Sequence, residues 1–185
     1  SLGERNVSDR KLRRAGRERM PEYLHVYCLT GMSRSERLTA IVQSMDRYHY
    51  LHGGIHLVVI DGVADLIRCA NDEAESVALI DEIYRLAGIY RTCIAAVVHF
   101  VPNGLKLRGH LGSELQRKSA AILSIEKDEN PEVSVVKALK VRDGSRLDIP
   151  LMQFRWDKQA GMPVYVGEKP RAEKEKRKEK ELAEM

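Results

Sequence analysis

The sequence predicts an α/β fold in which a parallel sheet is extended by antiparallel strands. Two apolar runs, "HLVVID" ending at Asp61 and "TCIAAVVHF" ending at Phe100, are separated by a helical pattern. That alternation calls for parallel strands joined by a crossover. Beyond Phe100 the pattern changes to "AAILSIEK", "VSVVKALKV", "LMQFRW" and "PVYVG" with short links between them. Short links make hairpins, because a parallel return needs a dozen residues or more.

Each element has its own local reason. Ser8 is placed to cap a short basic helix, "DRKLRRAG", with Gly16 as its stop. "YLHVYCL" (Tyr23 to Leu29) is rich in aromatic, apolar and β-branched residues and reads as a strand. Ser33 and Glu36 stand at capping-box spacing, and Leu38, Ile41, Val42, Met45 and Tyr48 then recur on one helical face. "HLVVID" is continuously apolar, as expected of a strand covered on both faces. Asp72 and Glu75 form a second capping-box pair; the helix after them carries Val77, Ile80, Ile83, Tyr84 and Ala87 inward and is expected to stop near Gly88. "VPNGLKLRGHLGSELQRK" reads as a glycine-bearing loop leading into a short helix. Three segments follow: a basic stretch over 1–20, the α/β body over 21–167, and a tail over 168–185. The tail mixes both charges densely and has no apolar face that would join a core.

At 185 residues and 43% apolar, the chain is long enough for one domain with a single core. A net charge of +4 permits contact with nucleic acid without requiring it. No stretch is apolar for long enough to span a bilayer, and residues 1–20 are too charged for a signal peptide. Cys28, Cys69 and Cys93 stand singly; Cys28 and Cys93 lie in apolar runs, which suggests buried free thiols and a cytoplasmic protein.

The candidate chemistry sits at strand ends. Asp61 closes the run "LVVI", where open α/β sheets bind ligands, and a carboxylate there holds magnesium through water. His99 closes the next strand in the equivalent place, so both residues should open onto one crevice. Lys106, Arg108 and His110 belong to the glycine-bearing loop, which suits a phosphate backbone but has no aromatic to stack on bases. Lys140 and Arg142, two residues apart at a strand end, project on one face and suit an oxyanion. Neither G-x-x-x-x-G-K-[S/T] nor G-x-G-x-x-G occurs in residues 1–185, and no cysteine–histidine spacing suits zinc.

Taken in order, "LVVIDGVADLI…NDEAES", "AAVVHF", "RGHLGSEL" and "KVRDG" resemble successive motifs of the RecA-like P-loop ATPases. The resemblance is to the hexameric-helicase branch with DnaB-type helicases and plasmid RepA-type ATPases, in the flavour carried by mobilizable elements and phages. It runs from about Leu24 to Gly161. It implies a Walker B role for Asp61 on Mg²⁺ and ATP, a sensor role for His99, and fingers acting in trans for Lys140 and Arg142. Lys106 to His110 become the DNA loop. Implied partners are DNA, single-stranded by preference, and further copies of the chain in a ring of hexamer type, working in replication or mobile-element transfer.

The same resemblance implies that the chain matches the C-terminal two-thirds of that ATPase domain, with the N-terminal strand and phosphate loop lying upstream. The chain alone is then expected to bind ATP feebly, to expose part of its sheet and to self-associate. Glu4 follows no apolar strand and is not assigned as the base. The competing expectation is a degenerate RecA-like module that binds DNA or protein without hydrolysis.

Overall fold

The structure, a computed structural model, describes residues 21–99 and 109–171. The predicted N-terminal helix, Lys106 and Arg108, and the tail from residue 172 onward lie outside the described residues. The chain is mixed α/β and divides into two compact units, Tyr27–Ser119 and 120–171 together with 21–26. The parallel and antiparallel strands accordingly form two separate sheets, where the sequence suggested one continuous sheet.

The first unit begins with helix α1 (Arg34–His52). Its capping box is complete: the Ser33 hydroxyl accepts the Glu36 N–H, and Glu36 accepts the Ser33 N–H at 2.7 Å. These bonds from the Ser33 side chain and backbone hold the Glu36 carboxyl below its usual range. Ser33→Ala is expected to cost about 1 kcal/mol, readable as a lowered thermal midpoint. Ala40 and Met45 are buried, Ile41 and Val42 pack against the cluster of Met45, Leu86 and Tyr90, and Leu38 packs against the core around Ile60.

Strand β1 (Leu57–Asp61) leads through a 3-10 turn, η1 (Val63–Leu66), to helix α2 (Glu73–Tyr90) and strand β2 (Cys93–Val97). The strands pair in parallel, Leu57 against Cys93 through Asp61 against Val97. Helix α2 runs two residues past the expected stop, because Arg91 takes the left-handed cap at φ +48°. Its N-terminus carries half a capping box: Asp72 accepts the Glu75 N–H at 3.0 Å, while Glu75 turns back to the Arg68 N–H at 2.8 Å. Leu79, Ile80, Ile83 and Leu86 face inward, whereas Tyr84, expected inside, is exposed under the Lys118 ammonium, 5.2 Å from its ring centre. Tyr90 packs on His49 and donates its hydroxyl to Asp46, which, with burial, pushes the phenol up to about 12. Helix α3 (Gly109–Lys118) closes the unit, with Leu111 and Leu115 entering the core around Ile60, Val63, Ile67 and Ile80.

Three expectations fail here, the first because one face of the β1–β2 sheet is exposed among the described residues. Burial alternates along β1 and β2. Ile60 is buried while Leu57 and Val59 are 52% and 60% exposed, so the strands are covered on one face only. Cys93 falls on the open side and is exposed, and Cys28 is only half buried. The run Tyr23 to Leu29 makes a single bridge at Tyr27 rather than a strand. Its final carbonyls are instead gathered by Arg37, which donates to Leu29 O, Thr30 O and Met32 O.

The second unit holds a four-stranded antiparallel meander: β3 (Ala121–Lys127), β4 (Val133–Val141), β5 (Leu151–Asp157) and β6 (Met162–Lys169), in that spatial order. All four strands follow the sequence reading, although β6 continues two residues into the segment assigned to the tail. The register shifts in β4: Ile122 faces Lys140 but Leu123 faces Ala138, leaving Leu139 as the extra residue of a bulge. Asp128 ties three strands, accepting Lys169 Nζ at 2.5 Å and Gln153 Nε2 at 2.8 Å. The Lys169 ammonium, then the Glu129 N–H and Gln153, hold its carboxyl below the usual range. A depressed folded-state value stabilises above the unfolded value and is lost as pH falls through the folded one. Asp128→Asn is therefore expected to flatten the acid limb of the stability profile, measured by denaturation from neutral pH down to about pH 3.

Candidate functional site

Asp61 ends β1, whereas His99, expected at the matching strand end, lies two residues beyond the end of β2. Parallel pairing of Asp61 with Val97 sets the ends of β1 and β2 level, and His99 follows Val97 by two residues. Asp61, Val97 and His99 are all exposed, and alternation assigns them to the open side of the sheet. The side chain of Asp61 makes no ion pair or hydrogen bond among the described residues.

The chain immediately after Asp61 is shaped by Gly62. This residue sits at φ +84°, and its carbonyl accepts the Asp65 N–H at 2.9 Å. A Cβ at 62 would lie 3.1 Å from Asp65 Oδ2 in a backbone region that L residues rarely adopt. The strand is therefore turned sharply away, leaving Asp61 at the rim. Arg37 Nη1 donates to Asp65 O at 3.3 Å, binding α1 to this turn. Its fourfold set of carbonyl acceptors was not legible in the sequence, where Arg37 is one polar residue on a helix face.

Among the described residues no group of three or more His, Cys, Asp or Glu side chains is placed to hold a metal ion. A lone carboxylate at a strand end does not make an all-protein cage. It does fit Mg²⁺, which keeps several waters and is held by one or two carboxylates plus phosphate oxygens.

The second candidate pair lies in the other unit. Lys140 sits in β4 opposite Ile122, and the Arg142 N–H donates to Ala120 O at 2.8 Å. Pairing thus continues past the strand end, and Lys140 and Arg142 share a face, half-buried and exposed respectively. The turn beyond them is held by Arg171, nine-tenths buried, whose Nη2 donates to Arg146 O at 2.6 Å and Ile149 O at 2.8 Å. Nothing in the sequence pattern singles out Arg171.

His110, the second residue of α3, is exposed. Gly109, just before it, packs against the turn at Ala70 and Asn71, a contact that sequence spacing did not suggest. No described helix is long and apolar enough to cross a membrane. No protein-family model matches the chain, and no curated protein sequence matches it.

Proposed function

We propose that this chain is part of the ATPase core of a RecA-like P-loop ATPase of the hexameric-helicase branch, coupling ATP hydrolysis to work on DNA. The observation that carries the reading is the parallel pairing of Asp61 with Val97, which sets an exposed carboxylate at the carboxyl end of a parallel pair, with His99 two residues beyond Val97. Carboxyl ends of parallel strands are where such sheets bind nucleotides. In this reading Asp61 orients the water shell of Mg²⁺, and His99 contacts the terminal phosphate or the attacking water. Bound Mg²⁺ neutralises charge on the phosphate oxygens during transfer. Lys140 and Arg142 serve the nucleotide of a neighbouring subunit, so the reading does not require them to face Asp61.

This reading requires a phosphate loop from sequence outside residues 1–185, because no G-x-x-x-x-G-K-[S/T] occurs within them. That same fact favours the second reading, a RecA-like module that binds DNA or protein without hydrolysis. The two separate on nucleotide chemistry. In the protein that includes the phosphate loop, Asp61→Asn is expected to lower Mg²⁺-dependent ATP turnover by about a hundredfold or more. Thermal unfolding should stay within about a degree, because Asp61 is exposed and makes no internal bond. Turnover that is absent from the unsubstituted protein leaves the binding module standing; turnover indifferent to Asp61→Asn removes Asp61 from the site.

A further inference from the structure

We propose that Gly109 and the Ala70–Asn71 turn form a positioning contact that makes the segment after Asp61 and the start of α3 move as one body. Its functional consequence rests on the ATPase reading: a change at the end of β1 would pass to the start of α3.

Three kinds of interaction meet at this contact. Gly109 is left-handed at φ +66°, and a Cβ there would lie 2.3 Å from both Ala70 O and Asn71 Oδ1 and 2.7 Å from Ala70 C. Two of those atoms are backbone, so no side-chain rotation relieves the overlap, and only glycine fits. The Leu111 N–H, a first-turn amide that α3 cannot satisfy internally, donates to Ala70 O at 3.1 Å. The Leu111 side chain is fully buried beside Ile60, Val63 and Ile67, the residues that lead from β1 to the turn.

On its other side the turn has little slack. Asp72 N–H donates to Cys69 O at 3.0 Å, and the Arg68 guanidinium meets Asp72 at 3.0 Å. The Arg68 N–H reaches Glu75 in α2 at 2.8 Å. A displacement at the end of β1 therefore has a continuous path through η1 and the turn to the first amides of α3. Backbone bonds join the turn to α3 and Leu111 packs on Val63 and Ile67, while Arg68, Cys69 and Asn71 between them are exposed, so the coupling is decided by perturbation.

The test perturbs one side and reads the other by amide hydrogen exchange in the full chain. Glu75→Ala removes the acceptor of the Arg68 N–H, and the hydrogen bonds of Glu75 go to Arg68 and Asp72 rather than to α3. Exchange at the Leu111 amide is expected to rise by about tenfold, and Gly109→Ala is expected to do the same at the Arg68 amide. Changes confined to the substituted segment would overturn the coupling. Should Gly109→Ala not fold, Glu75→Ala decides alone.

The functional arm compares ATP turnover with and without single-stranded DNA in the same variants of the protein carrying the phosphate loop. The ratio should fall towards one while unstimulated turnover stays within about twofold, since neither residue is at the candidate site. An equal loss of both rates makes the contact merely structural. An unsubstituted protein without turnover sinks the ATPase reading, and the exchange result then stands or falls by itself.

Discussion

On the proposed ATPase reading, Arg142→Ala in the protein carrying the phosphate loop is expected to lower ATP turnover by about a thousandfold or more while leaving nucleotide binding close to unchanged. A guanidinium acting on a neighbouring subunit's nucleotide stabilises charge that develops only in the transition state. Removing it should therefore depress kcat far more than it raises KM. Lys140 and Arg142 share a face, and Ala120 O fixes the backbone at Arg142, so the side chain leaves the sheet from a defined point. Arg142→Lys should recover little, because an ammonium cannot reproduce the planar fork of donors. The trans assignment has its own check. Mixing Arg142→Ala subunits with Asp61→Asn subunits should restore part of the turnover that each lacks, since some interfaces then pair an intact finger with an intact carboxylate. Mixtures as inactive as their components would place both residues in one subunit's site, or in none.

Leu111→Ala is expected to destabilise the first unit by about 3 kcal/mol, read as a lowered urea midpoint by far-ultraviolet circular dichroism. Leu111 has no exposed surface and lies among Ile60, Val63, Ile67, Leu79, Ile80, Ile83 and Leu115. Truncation opens a cavity below η1, and the neighbours cannot collapse freely into it because β1, α2 and α3 each anchor part of the wall. Leu111→Met, which conserves volume, should cost less than about 1.5 kcal/mol. A loss near zero for Leu111→Ala would mean that α3 is not packed as described.

How much of this was legible beforehand depended on whether the signal was local. The Ser33–Glu36 box needs only its own four residues, and both reciprocal bonds are present. Asp72 and Glu75 have the same spacing, but Glu75 is claimed by Arg68, and local pattern could not weigh that competition. The parallel pairing of the two strands was legible because two apolar runs joined by one helix leave little choice, but Asp61 stands level with Val97, two residues short of His99. Covering on both faces was the wrong inference from "HLVVID", since a hydrophobic run shows what a strand tolerates on each side, not what is there. Contacts between distant turns were invisible: nothing in "RGHLG" points to Ala70, and nothing in "SRSERL" points to four carbonyls. Both depend on backbone atoms, which every residue carries alike.

The extra residue at Leu139 acts as a parity switch for the hairpin that contains the proposed finger. Upstream of it Val135 and Lys137 lie on the face of Ser124; past it Lys140 and Arg142 return to that same face, although strict alternation would send them to the other. A one-residue deletion at 139 keeps every cation and removes the bulge, and regular alternation from Lys137 then leaves Lys140 opposite Ile122, with Arg142 on the same face. Deleting Ala138 as well would carry Lys140 and Arg142 to the opposite face and shorten the hairpin's reach. In a deletion series through β4, tolerance should thus follow odd or even count rather than the number of residues lost, a pattern that point substitutions cannot reveal.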